Sequence, residues 1–459
     1  MSTLHELQQR LQAGALKSRT LVEESLALIA APEGEGARAF LTVYAEEARA
    51  KADHFDKARA EHRPLPRFAG IPIAIKDLFD VAGEVTRAAS HVLDNEAPAR
   101  ADADAVALVK NAGFIVVGKT NMTEFSYSGL GLNENFPAPR SPYDRQRGRI
   151  PGGSTSGGAV AVADGFVPAA LGTDTGGSCR IPAAFCGIVG FKPSSSRVSK
   201  RGVFPLAESL DSVGPLGNSV ACCAAIDSLL AGADGESERP LPTKGLRIGV
   251  LKGYVDEGLE APVAMAYSAA LTRLARQGAK LIPIKIPEFA ELPTISAKGG
   301  FSGAEAHALH RSWLKTRRKF YDPWVLARLE LGGRQTADDY IDLLHARERL
   351  KAIMRAHMQT LDALALPTAP LIPPTIDSLG DLEHSMAINS ACLRNTSIAN
   401  FVDCPSISIP CHAPGDAPVG FMLMGAPLCD RRLLAMARGF EGAVRGGSAP
   451  SPASGRGPG

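Results

Sequence analysis

Long apolar runs are missing from this chain. Across its 459 residues no uncharged stretch reaches bilayer-spanning length. The opening Met1-Ser2-Thr3-Leu4-His5-Glu6-Leu7 has neither the basic start nor the apolar stretch of an export leader, so the expected setting is the cytoplasm. An excess of one charge sign is also missing. Lys and Arg total 50 against 48 Asp and Glu, a formal net charge of +2, so no general attraction to nucleic acid is expected. The eight cysteines, Cys179, Cys186, Cys222, Cys223, Cys392, Cys404, Cys411 and Cys429, form no C-x-x-C pair. With no histidine spacing that suggests zinc, they read as small buried thiols in a reducing compartment, and neither metal nor cofactor is expected. The G-x-S-x-G elbow is absent, which argues against an α/β-hydrolase.

What is present reads as an ordinary soluble globular chain, 45% hydrophobic and 21% charged. Helical periodicity runs over 4–30 and 44–60, then over 262–277 and 338–360. Short apolar strands are expected at 70–75, 114–117, 188–191, 247–250, 281–284 and 363–366, and a packed helix at 159–163. This alternation argues an α/β fold. The expected organisation is one domain over 1–445, with a helical N-terminal segment (about 1–62) and a core at about 65–230. The Gly/Ser/Pro-rich tail 446–459 is expected to be disordered. The basic run Arg311, Lys315, Arg317, Arg318, Lys319 reads as a solvated helix face. Gly113-Phe114-Ile115-Val116-Val117-Gly118-Lys119-Thr120 fits the P-loop spacing. Its middle residues are aromatic and β-branched, so they favour an extended strand over a phosphate cradle.

The chemistry concentrates in three places. Gly152-Gly153-Ser154 lies a short way upstream of Thr175-Gly176-Gly177-Ser178, and Lys76 ends the apolar run Gly70-Ile71-Pro72-Ile73-Ala74-Ile75. No histidine is at hand to activate a serine. A serine hydroxyl is a weak nucleophile until a base takes its proton. Lysine can be that base once burial disfavours its ammonium form. Glycine-rich backbone at 175–178 can present consecutive N–H groups to a developing oxyanion. Taken singly, each of these is ordinarily a loop or a solvated strand end.

In order and together, these segments resemble the amidase signature family. Pro151-Gly152-Gly153-Ser154-Thr155-Ser156-Gly157-Gly158 and Asp174-Thr175-Gly176-Gly177-Ser178-Cys179-Arg180-Ile181-Pro182 carry the likeness. Gly118–Phe125 and Ser209–Pro215 extend it. The resemblance implies one large mixed sheet flanked by helices. It implies Ser178 as the acylated nucleophile, Ser154 as a bridging serine after a cis peptide, and Lys76 as the base behind it. It further implies an oxyanion hole from the backbone of Thr175, Gly176, Gly177 and Ser178, support from Asp174 and Arg180, and a pocket wall at Ser126, Tyr127 and Ser128. There are departures: Cys179 stands where isoleucine or valine is usual, 143–149 is longer than usual, and Asn400-Phe401-Val402-Asp403-Cys404-Pro405 lacks the glycine expected before its proline.

The expected activity is hydrolysis of a linear carboxamide, aryl or aliphatic, to a carboxylate and an amine or ammonia. The alternatives are the glutamine-hydrolysing A chain of a tRNA-dependent amidotransferase and a catalytically silent member that binds amides or a partner. The expected partner is a small-molecule amide, with no membrane. The sequence sets no oligomeric state, and a homodimer is one option.

Overall fold

The computed structural model describes residues 2–236 and 238–446. Within them lies one mixed sheet of 11 strands flanked by helices. The strands are β1 (Phe40–Val43), β2 (Pro72–Lys76), β3 (Ile115–Thr120), β4 (Ala169–Asp174), β5 (Val189–Lys192), β6 (Ser212–Gly217), β7 (Arg247–Lys252), β8 (Lys280–Lys285), β9 (Ala363–Pro367), β10 (Ser406–Pro410) and β11 (Gly420–Met424). Their order is β1-β3-β2-β4-β6-β5-β10-β11-β9-β7-β8. β2 runs parallel to both β3 and β4, whereas β6 is antiparallel to both β4 and β5.

Every residue of β2, β3 and β4 is buried. Helices cover the sheet on both faces, so these strands read as continuous apolar runs rather than alternating ones. The run that mimics a P-loop is largely β3, and its Lys119 ammonium lies 3.5 Å from Glu84 rather than over an anion cradle.

Three expectations need correction. The periodicity over 4–30 is two helices, Leu4–Gln12 and Ser18–Ala30. The second starts where the Asp56 carboxylate accepts the Ser18 and Arg19 backbone N–H groups at 2.8 and 2.9 Å, a cap supplied from a distant part of the chain. The segment before residue 62 is not purely helical, because β1 pairs antiparallel with β3 and forms one edge of the sheet. Of the eight cysteines, seven are buried and Cys429 is exposed. Of the tail, Gly446 ends the last helix in a left-handed conformation, and 447–459 lie outside the described residues. No helix among the described residues is long and apolar enough to cross a membrane.

Candidate active site

Two neighbouring strands deliver the reactive groups. β2 ends on Lys76, and β4 carries Thr173 and Asp174 before opening into the loop 175–178. Between them the chain passes through 151–155, with a cis peptide at Gly153–Ser154, and enters the helix Ser156–Ala163. Loop 175–178 leads into the helix Arg180–Cys186. Glycine is required at 177. Its φ is +142°, and a Cβ there would lie 2.3 Å from Thr396 Oγ1.

Lys76 is fully buried. Its Nζ donates to Ser154 Oγ at 2.7 Å and to Thr173 Oγ1 at 3.0 Å. Burial pulls its pKa from 10.5 down to about 7, despite the opposing influence of Cys179, Asp174 and Asp211. Half of the lysine is then a neutral amine near pH 7, and across the same contact a neutral amine can instead accept the Ser154 proton. Ser178 lines a cavity of about 410 Å³ in front of this pair. No hydrogen bond joins Ser154 to Ser178 among the described residues, so that link of the implied relay is open in this structure. Such contacts commonly tighten only around a substrate.

The backbone N–H groups of Thr175, Gly176, Gly177 and Ser178 are unclaimed: none donates to a protein acceptor among the described residues. The next amide, Cys179 N–H, donates to Asp174 Oδ2 at 3.0 Å. The loop is fastened from outside. Thr175 Oγ1 donates to Asp211 Oδ1 at 2.5 Å, and Thr396 Oγ1 donates to the Gly176 carbonyl at 2.6 Å. Burial raises the Asp211 carboxyl to about 6, against its bonds from Thr175 and from the Ala207 and Leu206 amides.

Asp174 and Arg180 form a fork beneath the loop at 2.8 and 3.0 Å, both with fully buried side chains. Burial alone would raise the Asp174 pKa. The Arg180 guanidinium outweighs it and, with Asn400, holds the carboxyl at about 2. By that sign the pair stabilises the fold above the ordinary carboxylate range, and the contribution is lost as pH falls through about 2. Asn400 completes the set, donating to Asp174 Oδ1 at 2.9 Å and accepting from Arg180 at 2.6 Å. Removing one partner strands a buried charge, which typically costs about 3–5 kcal/mol. Asp174→Ala is therefore expected to lose about that much stability, read as a lowered urea midpoint. A loss of less than about 0.5 kcal/mol, the range of an ordinary surface substitution, would contradict the fork's structural role.

Cys179, the departure beside Ser178, is fully buried, and its thiol pKa is pushed far up by burial. That excludes it as a ready thiolate. Ser126, Tyr127 and Ser128 do line the cavity. Ser126 Oγ is buried and makes no hydrogen bond among the described residues. Tyr127 is 2% exposed and lies under the Arg328 guanidinium at 4.3 Å, so its ring already has a stacking partner. Sequence reasoning missed Thr173, Asn400, Asn389 and the cavity's arginines, Arg328 and Arg394. Their only signal lies in the fold, which brings segments far apart in the chain to one place.

The Amidase family model matches residues 21–434. The A chain of the glutamyl-tRNA(Gln) amidotransferase of Roseiflexus sp. (strain RS-1) is 34% identical over 473 residues, covering 96% of each chain. A crystal structure of an amidase superposes with a TM-score of 0.86 at 31% identity, over 96% of this chain and 99% of the other. The corresponding A chain of the glutamyl-tRNA(Gln) amidotransferase from Thermotoga maritima superposes with a TM-score of 0.77 at 27% identity, over 96% and 94%.

Proposed function

The chain belongs to the amidase family, and we propose that it hydrolyses the carbon–nitrogen bond of a linear carboxamide through an acyl-enzyme on Ser178. The observation that carries this reading is the buried Lys76–Ser154 contact of 2.7 Å behind a cavity whose rim holds Ser178 and unclaimed backbone amides. Neutral Lys76 takes the Ser154 proton as Ser154 takes that of Ser178. Ser178 Oγ then bonds to the substrate carbonyl carbon, and the carbonyl electrons move onto oxygen, held by the amides of 175–178. Collapse breaks the carbon–nitrogen bond. The proton held on the relay goes to the leaving nitrogen, which departs as amine or ammonia. Water repeats the sequence on the ester, giving a carboxylate and restoring Ser178. Asp174, Arg180 and Asn400 hold the loop and touch no reacting atom. Intact Lys76, Ser154 and Ser178 speak against a silent binding protein.

Purified protein treated with a chelator is expected to hydrolyse simple amides alone, releasing acid and amine or ammonia in equal amounts. A panel of aryl amides, anilides and short aliphatic amides, assayed for ammonia or aniline, checks this.

One observation favours a second reading. The Roseiflexus relative is named as one chain of a larger enzyme, and the cavity's charged lining residues, Arg328 and Arg394, are both cationic. A substrate carrying a carboxylate, as glutamine does, suits such a cavity better than one carrying only an ammonium. Glutamine turnover that appears only with companion chains and ATP added would replace the stand-alone hydrolase with a component of an amidotransferase.

A further inference from the structure

The substrate cavity has a second chamber behind it. Tyr127, Ser128, Arg328, Met386 and Asn389 line both spaces and form the wall between them. The rear chamber has a volume of about 200 Å³. Its lining includes the aliphatic side chains Leu130, Leu132, Val325, Ile376 and Leu379, together with Trp324. An apolar cavity of about 150 Å³ is enough to hold benzene.

Two buried polar atoms on residues that line this chamber make no hydrogen bond among the described residues. Thr123 is 2% exposed, and its Oγ1 makes no hydrogen bond among the described residues. Arg328 Nη1, in the wall, is likewise buried and unpaired. Both atoms are closed off from the open space of the chamber, and Thr123 Oγ1 lies beside the Gly153 backbone, where a Cβ would be 2.9 Å from it. The Asp322 carboxylate, which also lines the chamber, is already engaged. It accepts the backbone N–H groups of Glu134, Trp324 and Val325. With the Glu134 and Asp322 carboxylates set against the single guanidinium of Arg328, the charged lining is on balance negative, which disfavours an anionic group there.

The wall itself can give way. Arg328 is held against Tyr127 by its guanidinium lying over the ring at 4.3 Å, a contact that an aromatic or alkyl group can replace. Met386 is an unbranched, adaptable side chain. Asn389 is fixed instead. Its Oδ1 accepts the Ser128 hydroxyl at 3.0 Å and the Gly129 amide at 2.8 Å, which anchors the turn carrying Tyr127.

We propose that this chamber is a specificity subsite for a neutral, compact apolar arm of the amide substrate, up to about a phenyl ring in size, with the Tyr127–Arg328 pair as its partition. The inference rests on the amidase reading above.

The test is a pair of amide series, one varied on the acyl side and one on nitrogen, running from the shortest members to phenyl-bearing ones. In the wild type, kcat/KM is expected to rise with the arm in at least one series. Leu379→Trp fills the chamber and touches none of the proposed reacting groups. It is expected to lower kcat/KM about 10-fold or more for arm-bearing amides and to leave the shortest amide within about 2-fold. Trp324→Ala enlarges the chamber and is expected to shift the optimum to a bulkier arm. That variant decides the matter if Leu379→Trp fails to fold, as judged by its melting transition. Equal losses for short and long amides in Leu379→Trp, or an unchanged arm preference in both variants, would overturn the subsite. Turnover of the shortest amide is the control for the parent reading. Its absence in the wild type overturns the amidase assignment and this inference together, whereas its presence without any arm effect overturns this inference alone.

Discussion

Replacing Ser178 with alanine is expected to reduce kcat by about 10⁴-fold or more while the fold survives. That is about 5–6 kcal/mol of transition-state stabilisation, since each tenfold is about 1.4 kcal/mol. The expectation follows from where the hydroxyl sits. Of the two serines in the glycine-rich loops, Ser178 lines the cavity, whereas Ser154 is fully buried and does not. Cys179 next door has a thiol held protonated by burial and cannot substitute. The change removes one oxygen from a side chain that makes no hydrogen bond to the rest of the protein among the described residues, so stability should move little. A fluorophosphonate probe supplies the second readout: wild type should be labelled on Ser178, and the alanine variant should not be labelled. Label on Cys179, or alanine turnover within about tenfold of wild type, would remove Ser178 from the nucleophile's place.

The parts of the site that were legible in the sequence are those written in contiguous residues. The apolar strand ending in Lys76 and the two glycine–serine loops declare both their backbone needs and their chemistry locally. What escaped depends on distant segments. β6 is absent from the strands expected from the sequence, and Ser212-Val213-Gly214-Pro215-Leu216-Gly217 holds two glycines and a proline, which weaken any strand signal. Its residues are nonetheless all buried between β4 and β5, with Pro215 facing Leu171. Glycine is needed at 214, where a Cβ would lie 2.1 Å from the Phe191 carbonyl oxygen. Tertiary pairing here overrides local preference. The missing glycine before Pro405 has a similar explanation. Asp403 takes a left-handed φ of +54° there, and its carboxylate accepts the Ser195 amide and hydroxyl at 2.9 and 3.0 Å. Asp tolerates that conformation better than most residues, and these bonds to a distant segment help hold it. Thr173 and Asn400 are silent in sequence for the same reason, since their partners Lys76, Asp174 and Arg180 become neighbours only once the sheet has formed.

Lys76 carries the other large expected effect. Among the described residues no other base hydrogen-bonds Ser154 Oγ, and Thr173, which shares the lysine, is a neutral hydroxyl. Lys76→Ala is expected to lower kcat by at least about 10³-fold, and Lys76→Met, which fills the buried space without an amine, by a similar factor. The methionine variant separates chemistry from packing, because it should melt close to wild type while remaining inactive. The pH dependence gives a sharper test. A base must be unprotonated to act, and Lys76 loses its proton at about 7. The kcat/KM of the wild type should therefore rise through an acid limb centred near pH 7. It should be about tenfold below its plateau one unit lower, as expected for a single titrating base. Asp77, Asp211 and Asp227, raised to about 6 by burial, and Glu124, raised by burial to about 8, also titrate close enough to 7 to blur that limb. Asp211→Asn tests the one of these that acts on Lys76, because it removes the Asp211 titration and should leave a limb set by the lysine, shifted slightly down as a neighbouring negative charge is lost. A wild-type limb that persists unchanged in the residual activity of Lys76→Met would assign the proton to another group. A limb that vanishes with the amine ties the activation of Ser154, and through it of Ser178, to the burial of this lysine at the end of β2.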